Sequence, residues 1–220
     1  MKACTVTFLL MLGSFSMALA HPPRLYLGGS VQGNVVSEEQ QLRRYSDTPL
    51  PELDGAPPSG LYAGMGLQIE GGLAADILNT YVGFRQDVSG HRTGSEHDRW
   101  ASERFVLGTR LHVSDEYANP VKPLLGVGIS YGWAQRRKEL QYDSMAGEVD
   151  ETSSKASLGW LAEAGFLVDL HHDLFLSFML RYETLNTRLG DPAQYGSVRN
   201  AYQGALAVGL MYQFERGWLK

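Results

Sequence analysis

The sequence predicts an all-β chain: an eight-stranded antiparallel up-and-down transmembrane β-barrel. Three observations predict it. Eight segments alternate large apolar with small or polar residues at period two, the spacing at which successive strand side chains point to opposite faces. The connections between these segments alternate strictly between long and short. Charges in mid-segment fall on the small, polar face.

Ahead of the first strand, Lys2 precedes an apolar run from Val6 to Met17 that ends in Ala18-Leu19-Ala20 before His21-Pro22-Pro23. This is the layout of a secretory signal peptide with an A-x-A cleavage site. The expectation is therefore a signal peptide over residues 1–20, cut near Ala20, and one barrel domain over 21–220. The run is too short for a spanning helix, which needs about 20 apolar residues, and no later run approaches that length. Cys4, the only cysteine, leaves with the signal, so no disulfide, thiolate ligand or cysteine nucleophile is expected in the mature chain. Without Lys2 the net charge becomes −6, which argues against a nucleic-acid partner. With 25 Gly and 11 Tyr, the composition suits a barrel that is apolar on one face only.

The strands follow in order. Residues 24–36 set Leu25, Leu27, Val31 and Val35 outward against Tyr26, Ser30, Gln32 and Asn34 inward. Residues 60–70 oppose Leu61, Met65, Leu67 and Ile69 to Tyr62, Gln68 and Glu70, and 75–87 oppose Leu78, Val82 and Phe84 to Asn79, Tyr81 and Arg85. Phe105, Leu107, Leu111 and Val113 oppose Arg104, Gly108, Arg110 and His112 in 103–114. In 121–136, Val127, Ile129, Tyr131 and Trp133 face away from Gly126, Gly128, Ser130 and Arg136. Residues 156–169 place Leu158, Trp160, Ala162 and Phe166 opposite Ser157, Gly159 and Glu163. Residues 174–186 place Leu176, Phe178, Leu180 and Tyr182 opposite Ser177, Met179, Arg181 and Glu183. The clearest strand is 200–214, where Tyr202, Leu206, Val208, Leu210, Tyr212 and Phe214 oppose Ala201, Gln203, Ala205 and Ala207. Tyr202 and Tyr212 lie ten steps apart, roughly 25 Å along a tilted barrel axis, which matches the height of a lipid-facing band between aromatic girdles. Tyr131, Trp133, Trp160, Phe166, Tyr182, Tyr202, Tyr212 and Phe214 are the girdle candidates.

Long loops are expected at 37–59, 88–98, 137–155 and 187–199, and short turns at 71–72, 115–120 and 170–172. This matches outer-membrane barrels, whose long loops and short turns sit at opposite ends. Gly71-Gly72 suits a two-residue hairpin turn, and the outward parity changes from odd to even across it. A cation on the lipid face near midplane costs about 2–4 kcal/mol, so a membrane barrel keeps charge inside or at its rims. A soluble lipocalin-like barrel would reverse the two faces.

With eight strands placed, the chain resembles the OmpA/OmpX-type small outer-membrane β-barrels. The resemblance rests on this architecture over residues 24–214, on Leu25-Tyr26-Leu27-Gly28-Gly29-Ser30, and on the segment from Pro123 to Gly132. It implies outer-membrane insertion with a lumen blocked by side chains. Such barrels often end on an aromatic that the assembly machinery reads, whereas here Phe214 is followed by six residues to Lys220. Either the last strand runs to Trp218 or the signal is internal.

The candidate site is a lumen polar network of Gln68, Glu70, Arg85, Arg104, Arg110, Glu163, Arg181, Glu183 and Gln203, centred on a cross-strand Glu163–Arg181 ion pair. Buried charges must be paired, so mutual neutralisation plugs the barrel, while a pair able to open makes a narrow low-conductance pore or transporter. His112 and Ser114, beside Asp115 and Glu116, resemble the His-x-Ser pair of lipid A deacylase barrels, in which His activates a Ser nucleophile. Those enzymes carry the pair near the chain end facing lipid, unlike its place here, so a lipid A-modifying enzyme is a lesser alternative. His91 and His97 flank Glu96 and Asp98, and His171-His172 sits in a short turn; neither has metal-ligand spacing, and no metal or other cofactor is expected. Arg136-Arg137-Lys138 opens a loop that turns acidic at Glu148, Asp150 and Glu151, and could meet lipopolysaccharide phosphates. The reading is a non-enzymatic, monomeric outer-membrane scaffold presenting four extracellular loops. Its partners are outer-membrane lipid and lipopolysaccharide, the assembly machinery, and an unidentified extracellular ligand.

Overall fold

A computed structural model describes residues 23–40, 61–75, 77–93, 96–112, 120–140, 149–153, 156–171, 173–185 and 198–214. Its strands are β1 (Arg24–Gln40), β2 (Leu61–Ala74), β3 (Leu78–Thr93), β4 (Glu96–His112), β5 (Val121–Leu140), β6 (Val149–Ser153), β7 (Ser157–His171), β8 (Leu174–Leu185) and β9 (Val198–Gln213). All pairings are antiparallel: the sheet runs β4-β3-β2-β1-β9-β8-β7-β5, and β4 also pairs with β5, so the sheet closes. The short β6 pairs only with the far end of β5, and the register on β5 steps by one residue between Gln135↔Ser153 and Gly132↔Ser157. It therefore extends the β7 hairpin past an irregularity, and the barrel itself has eight strands.

Register partners traced from Leu27 through Gly71, Val82, Leu107, Ile129, Trp160, Thr184 and Tyr202 return to β1 at Ser37, ten residues further along. With strands ~4.8 Å apart and a rise of ~3.3 Å per residue, this stagger tilts the strands by about 40°. An eight-stranded barrel is just wide enough for its own side chains to fill.

The two walls differ in chemistry. Met65, Leu67, Ile69, Leu125, Val127 and Leu206 are among the large apolar side chains exposed on the outer wall, while Gln32, Asn34, Arg85, Arg104 and Glu163 are buried inside. So continuous an apolar exterior has no place in water, and it makes the protein a membrane barrel. No helix among the described residues is long and apolar enough to cross a membrane; the strands do the crossing.

Three expected connections need correction. Gly71 and Gly72 form no turn: both stay in the ladder opposite Val82 and Tyr81, and the chain reverses between Ala74 and Leu78, where Ala75 N–H donates to the Leu78 carbonyl. Gly72 serves instead as a close-approach position, since a Cβ there would lie 1.9 Å from the Thr80 carbonyl oxygen and 2.9 Å from the inward Tyr26 ring. The change of outward parity survives, because the register pairs odd with even residues across this hairpin. Residues 88–98 are mostly strand, with Val88↔Ala101, Ser89↔Trp100 and Gly90↔Arg99 in register. In 137–155, β5 runs on to Leu140 and β6 covers Val149–Ser153. These extensions rise beyond the apolar band, where no outward apolar residue is required, so the alternation that marks a strand inside the membrane is missing there. The first strand likewise runs to Gln40. The expected signal peptide, the 115–120 turn up to residue 119 and the tail after Phe214 lie outside the described residues, as do most of the 37–59 and 187–199 connections.

Candidate functional site

Period-two alternation aims every other residue of eight strands at one axis, and the polar ones meet there. Register places Glu163 on β7 directly opposite Arg181 on β8. Arg181 Nε donates to Glu163 Oε1 at 2.8 Å. From the other side, Arg110 donates through Nε to Glu163 Oε2 at 2.8 Å and through Nη2 to Oε1 at 3.2 Å. The Tyr81 hydroxyl donates to Oε2 at 2.9 Å. Two carboxylate oxygens offer about four lone-pair sites, so Glu163 is saturated.

The network continues both ways from this centre. Arg110 Nη2 also donates to Glu70 Oε2 at 2.8 Å, its Nη1 pairs with Glu70 Oε1, and Gln68 Nε2 donates to Glu70 Oε2 at 2.6 Å. Toward the other end, Arg181 Nη1 donates to Gln32 Oε1 at 2.8 Å. Gln32 Nε2 and Asn34 Nδ2 donate to Asp87 Oδ1 at 2.5 and 3.0 Å, and Ser89 donates to Asn34 at 2.7 Å. Arg85 bridges Asp87, at 3.0 Å, and Glu183. Glu183 also accepts from Ser130 and lies 3.6 Å from Arg104 Nη1, which donates to Ser130 at 3.2 Å. Four arginines thus face four carboxylates, and this lumen network carries no net charge.

Apolar layers bound it. Tyr26, Leu124, Leu167, Phe175 and Met211 fill the terminal end, where β1 begins and β9 ends. Val36, Tyr62, Trp100, Ala134, Leu185 and Ala201 fill the loop end. A gap beside Ser30, Glu70, Arg110 and Met179 measures about 10 Å³, no more than the room one water needs. A larger apolar depression of about 580 Å³ lies on the outer wall, over Ala162 and Ala164 between Val127 and Leu180.

Two inner-wall glycines make room for the centre. A Cβ on Gly108 would lie 2.5 Å from the Tyr81 ring, and one on Gly126 would lie 3.0 Å from both Arg110 Cγ and Glu163 Oε2. The Arg110 guanidinium sits 3.9 Å from the Tyr81 ring centroid. Gly108→Val should displace Tyr81 from Glu163 and cost about 1–3 kcal/mol, read as a lower midpoint for loss of the folded gel band on heating. Gly204→Val, on the outer wall with nothing within 4 Å, should leave that midpoint unchanged.

Gln203 lies inside, opposite Glu183 in register. Asp87, Gln32, Asn34 and Tyr81 complete the network although the sequence did not single them out as members. Asp87 follows Arg85 by two residues and so shares its face, which was signal enough. Of the aromatic candidates, Tyr131, Trp133, Trp160 and Tyr182 are exposed on the outer wall toward the loop end, and Tyr202 stacks on Tyr182 with ring centroids 6.3 Å apart. Tyr212 is exposed at the terminal end with Phe214 edge-on at 5.2 Å, and Phe166 packs against Phe178 at 5.2 Å.

The remaining candidates form no shared site among the described residues. His112 Nε2 lies 3.2 Å from Asn79 Oδ1, while Ser114, Asp115 and Glu116 lie outside the described residues. Asp98 is held by Arg136, with Nη2 donating at 2.5 Å, and by the Tyr62 hydroxyl at 2.9 Å. His91 meets Tyr62 edge-on at 6.3 Å. The side chains of His97 and Glu96, and His172 as a whole, lie outside the description, and His171 is exposed. No group of three metal-binding side chains occurs among the described residues.

Comparison with known structures meets this geometry. Neisserial surface protein A matches with a TM-score of 0.55 at 16% identity, over 86% of this chain and 97% of that one. The chain has the fold of a small outer-membrane β-barrel. This outer-membrane barrel also matches OprG of Pseudomonas aeruginosa, at TM-score 0.49 and 13% identity over 89% of this chain and 98% of that one. Ail of Yersinia pestis matches at TM-score 0.48 and 14% identity, over 88% and 100%. No protein-family model and no curated protein matches the sequence of the barrel.

Proposed function

We propose that this is a sealed, non-enzymatic outer-membrane scaffold, exported by a signal over residues 1–20, that holds long hairpins above the membrane as a surface for extracellular ligands. The observation that carries this reading is the neutral lumen network, closed at both ends by apolar layers. A conducting pore needs a continuous polar path wide enough for water, and the Trp100–Tyr62–Leu185 layer interrupts it. The extension of β3, β4 and β5 past the apolar band, tied by Arg136–Asp98–Tyr62, gives the loop end a rigid base. With an export signal and an even strand count, the termini face the periplasm and the hairpins face outward.

Purified barrel reconstituted in planar bilayers should give no discrete conductance steps in molar salt. Reproducible steps from the wild-type protein, abolished by bulkier lumen side chains, would replace the scaffold with a pore.

A further inference from the structure

The outward side chains of β7 are large at Trp160 and Phe166 and small between them, at Ala162 and Ala164. Register sets large side chains on both sides of each alanine: Val127 and Tyr182 beside Ala162, Leu125 and Leu180 beside Ala164. Those four stand exposed on the outer wall, so the alanines leave an apolar depression of about 580 Å³ between them. Its shape is that of a groove. One side follows the register row from Leu78 across to Leu180, and the other the row from Thr109 across to Tyr182. The floor is the backbone of Gly126 and Glu163, whose own row points into the lumen.

Length and slope select the occupant. The row from Leu78 on β3 to Leu180 on β8 crosses four strand spacings, roughly 19 Å, and with strands tilted by about 40° it climbs about 12 Å along the barrel axis. It starts at the terminal rim, where the chain reverses ahead of Leu78. It ends at Leu180, whose register partner Leu206 lies between Tyr202 and Tyr212. The climb is therefore about half of the ~25 Å apolar band, the hydrocarbon of one leaflet. Thr109 is the one outward polar side chain among the lining residues, so the groove offers no charge to a headgroup. Left empty, its lining forfeits dispersion contacts that a slender apolar chain recovers. A second barrel brings a convex wall, which bridges a groove instead of filling it.

We propose that this groove binds one acyl chain of a phospholipid in the terminal-end leaflet and so holds that lipid on the barrel. The site needs the membrane barrel alone and stands whether or not the lumen conducts. Full-length protein is folded in detergent, and heat-modifiable gel mobility establishes a folded barrel for every variant. Native mass spectrometry then measures binding of dihexadecanoyl phosphatidylethanolamine, dihexadecanoyl phosphatidylglycerol, dioctanoyl phosphatidylethanolamine and free hexadecanoate. The wild type should bind one dihexadecanoyl lipid with either headgroup to within about twofold, and the dioctanoyl lipid at least tenfold more weakly. Ala162→Leu/Ala164→Leu, which fills the groove, should weaken binding of the dihexadecanoyl lipids at least tenfold. Gly33→Leu adds the same side chain to the outer wall of β1, where nothing lies within 4 Å, and should leave binding unchanged. Unchanged binding in the folded double variant, or equal binding of the dioctanoyl lipid by the wild type, would overturn the groove. A tenfold preference between the headgroups would overturn its assignment to the chain, and hexadecanoate binding as tightly as phospholipid would overturn its assignment to a membrane lipid.

Discussion

Glu163→Ala should lower the unfolding free energy of the barrel by about 3–5 kcal/mol, measured by urea titration in lipid vesicles. The substitution removes one carboxylate and strands two guanidiniums, because Arg110 and Arg181 both donate to it, and it leaves the Tyr81 hydroxyl without its acceptor. The lumen then carries an uncompensated positive charge among buried side chains. Glu163→Gln should cost less than Ala, since it keeps the volume and one acceptor oxygen, yet it still turns an amide N–H group toward an arginine. A loss under 1 kcal/mol for Glu163→Ala would mean that water enters the lumen freely, and the plug would fall with it.

Leu206→Arg should cost about 2–4 kcal/mol in the same assay. Leu206 is 62% exposed and lies on β9 between Tyr202 and Tyr212, close to the middle of the apolar band. In an aqueous protein such an exposed position accepts arginine at almost no cost. The penalty arises only if the surrounding medium is hydrocarbon. Leu25→Arg, at the terminal rim, should cost no more than about 1 kcal/mol, because depth sets the penalty. Equal effects at both positions would contradict a bilayer around the outer wall.

What the sequence revealed and what it concealed follow from one physical cause. Inside the membrane, each strand must place apolar groups outward and small or polar groups inward, so alternation alone assigned Leu206, Val208 and Leu210 to one wall and Ala205 and Ala207 to the other. The Glu163–Arg181 pairing was one of two registers that a short turn allowed across β7 and β8, the other setting Glu163 opposite Met179, and the need to pair a buried charge favoured the arginine that the structure shows. Above the membrane that constraint lifts. Ser89, Gly90 and His91 resemble loop residues, and only the structure shows them paired with Trp100, Arg99 and Asp98. Gly71-Gly72 carried an ambiguous signal, since glycine serves both turns and close approaches, and at Gly72 the Thr80 carbonyl and the Tyr26 ring decide for the second. The contacts that Gln32 and Asn34 make depend on side chains of two strands that are not paired, β1 and β3, meeting at Asp87 inside the lumen, which no single alternating segment displays.

The central claim is an inside-out barrel whose outer wall meets lipid and whose interior is sealed. Tryptophan quenching by brominated lipids tests it most directly. Trp160 is 69% exposed on the outer wall and Trp100 is 0% exposed within the loop-end layer. Variants that keep one of these as the sole tryptophan, with the others replaced by Phe, are reconstituted in vesicles of brominated phosphatidylcholine. Trp160 should be strongly quenched by the bromolipid and unaffected by aqueous iodide, and Trp100 should be protected from iodide and only weakly quenched by the lipid. Trp160 quenched by iodide and indifferent to bromolipid would contradict the account.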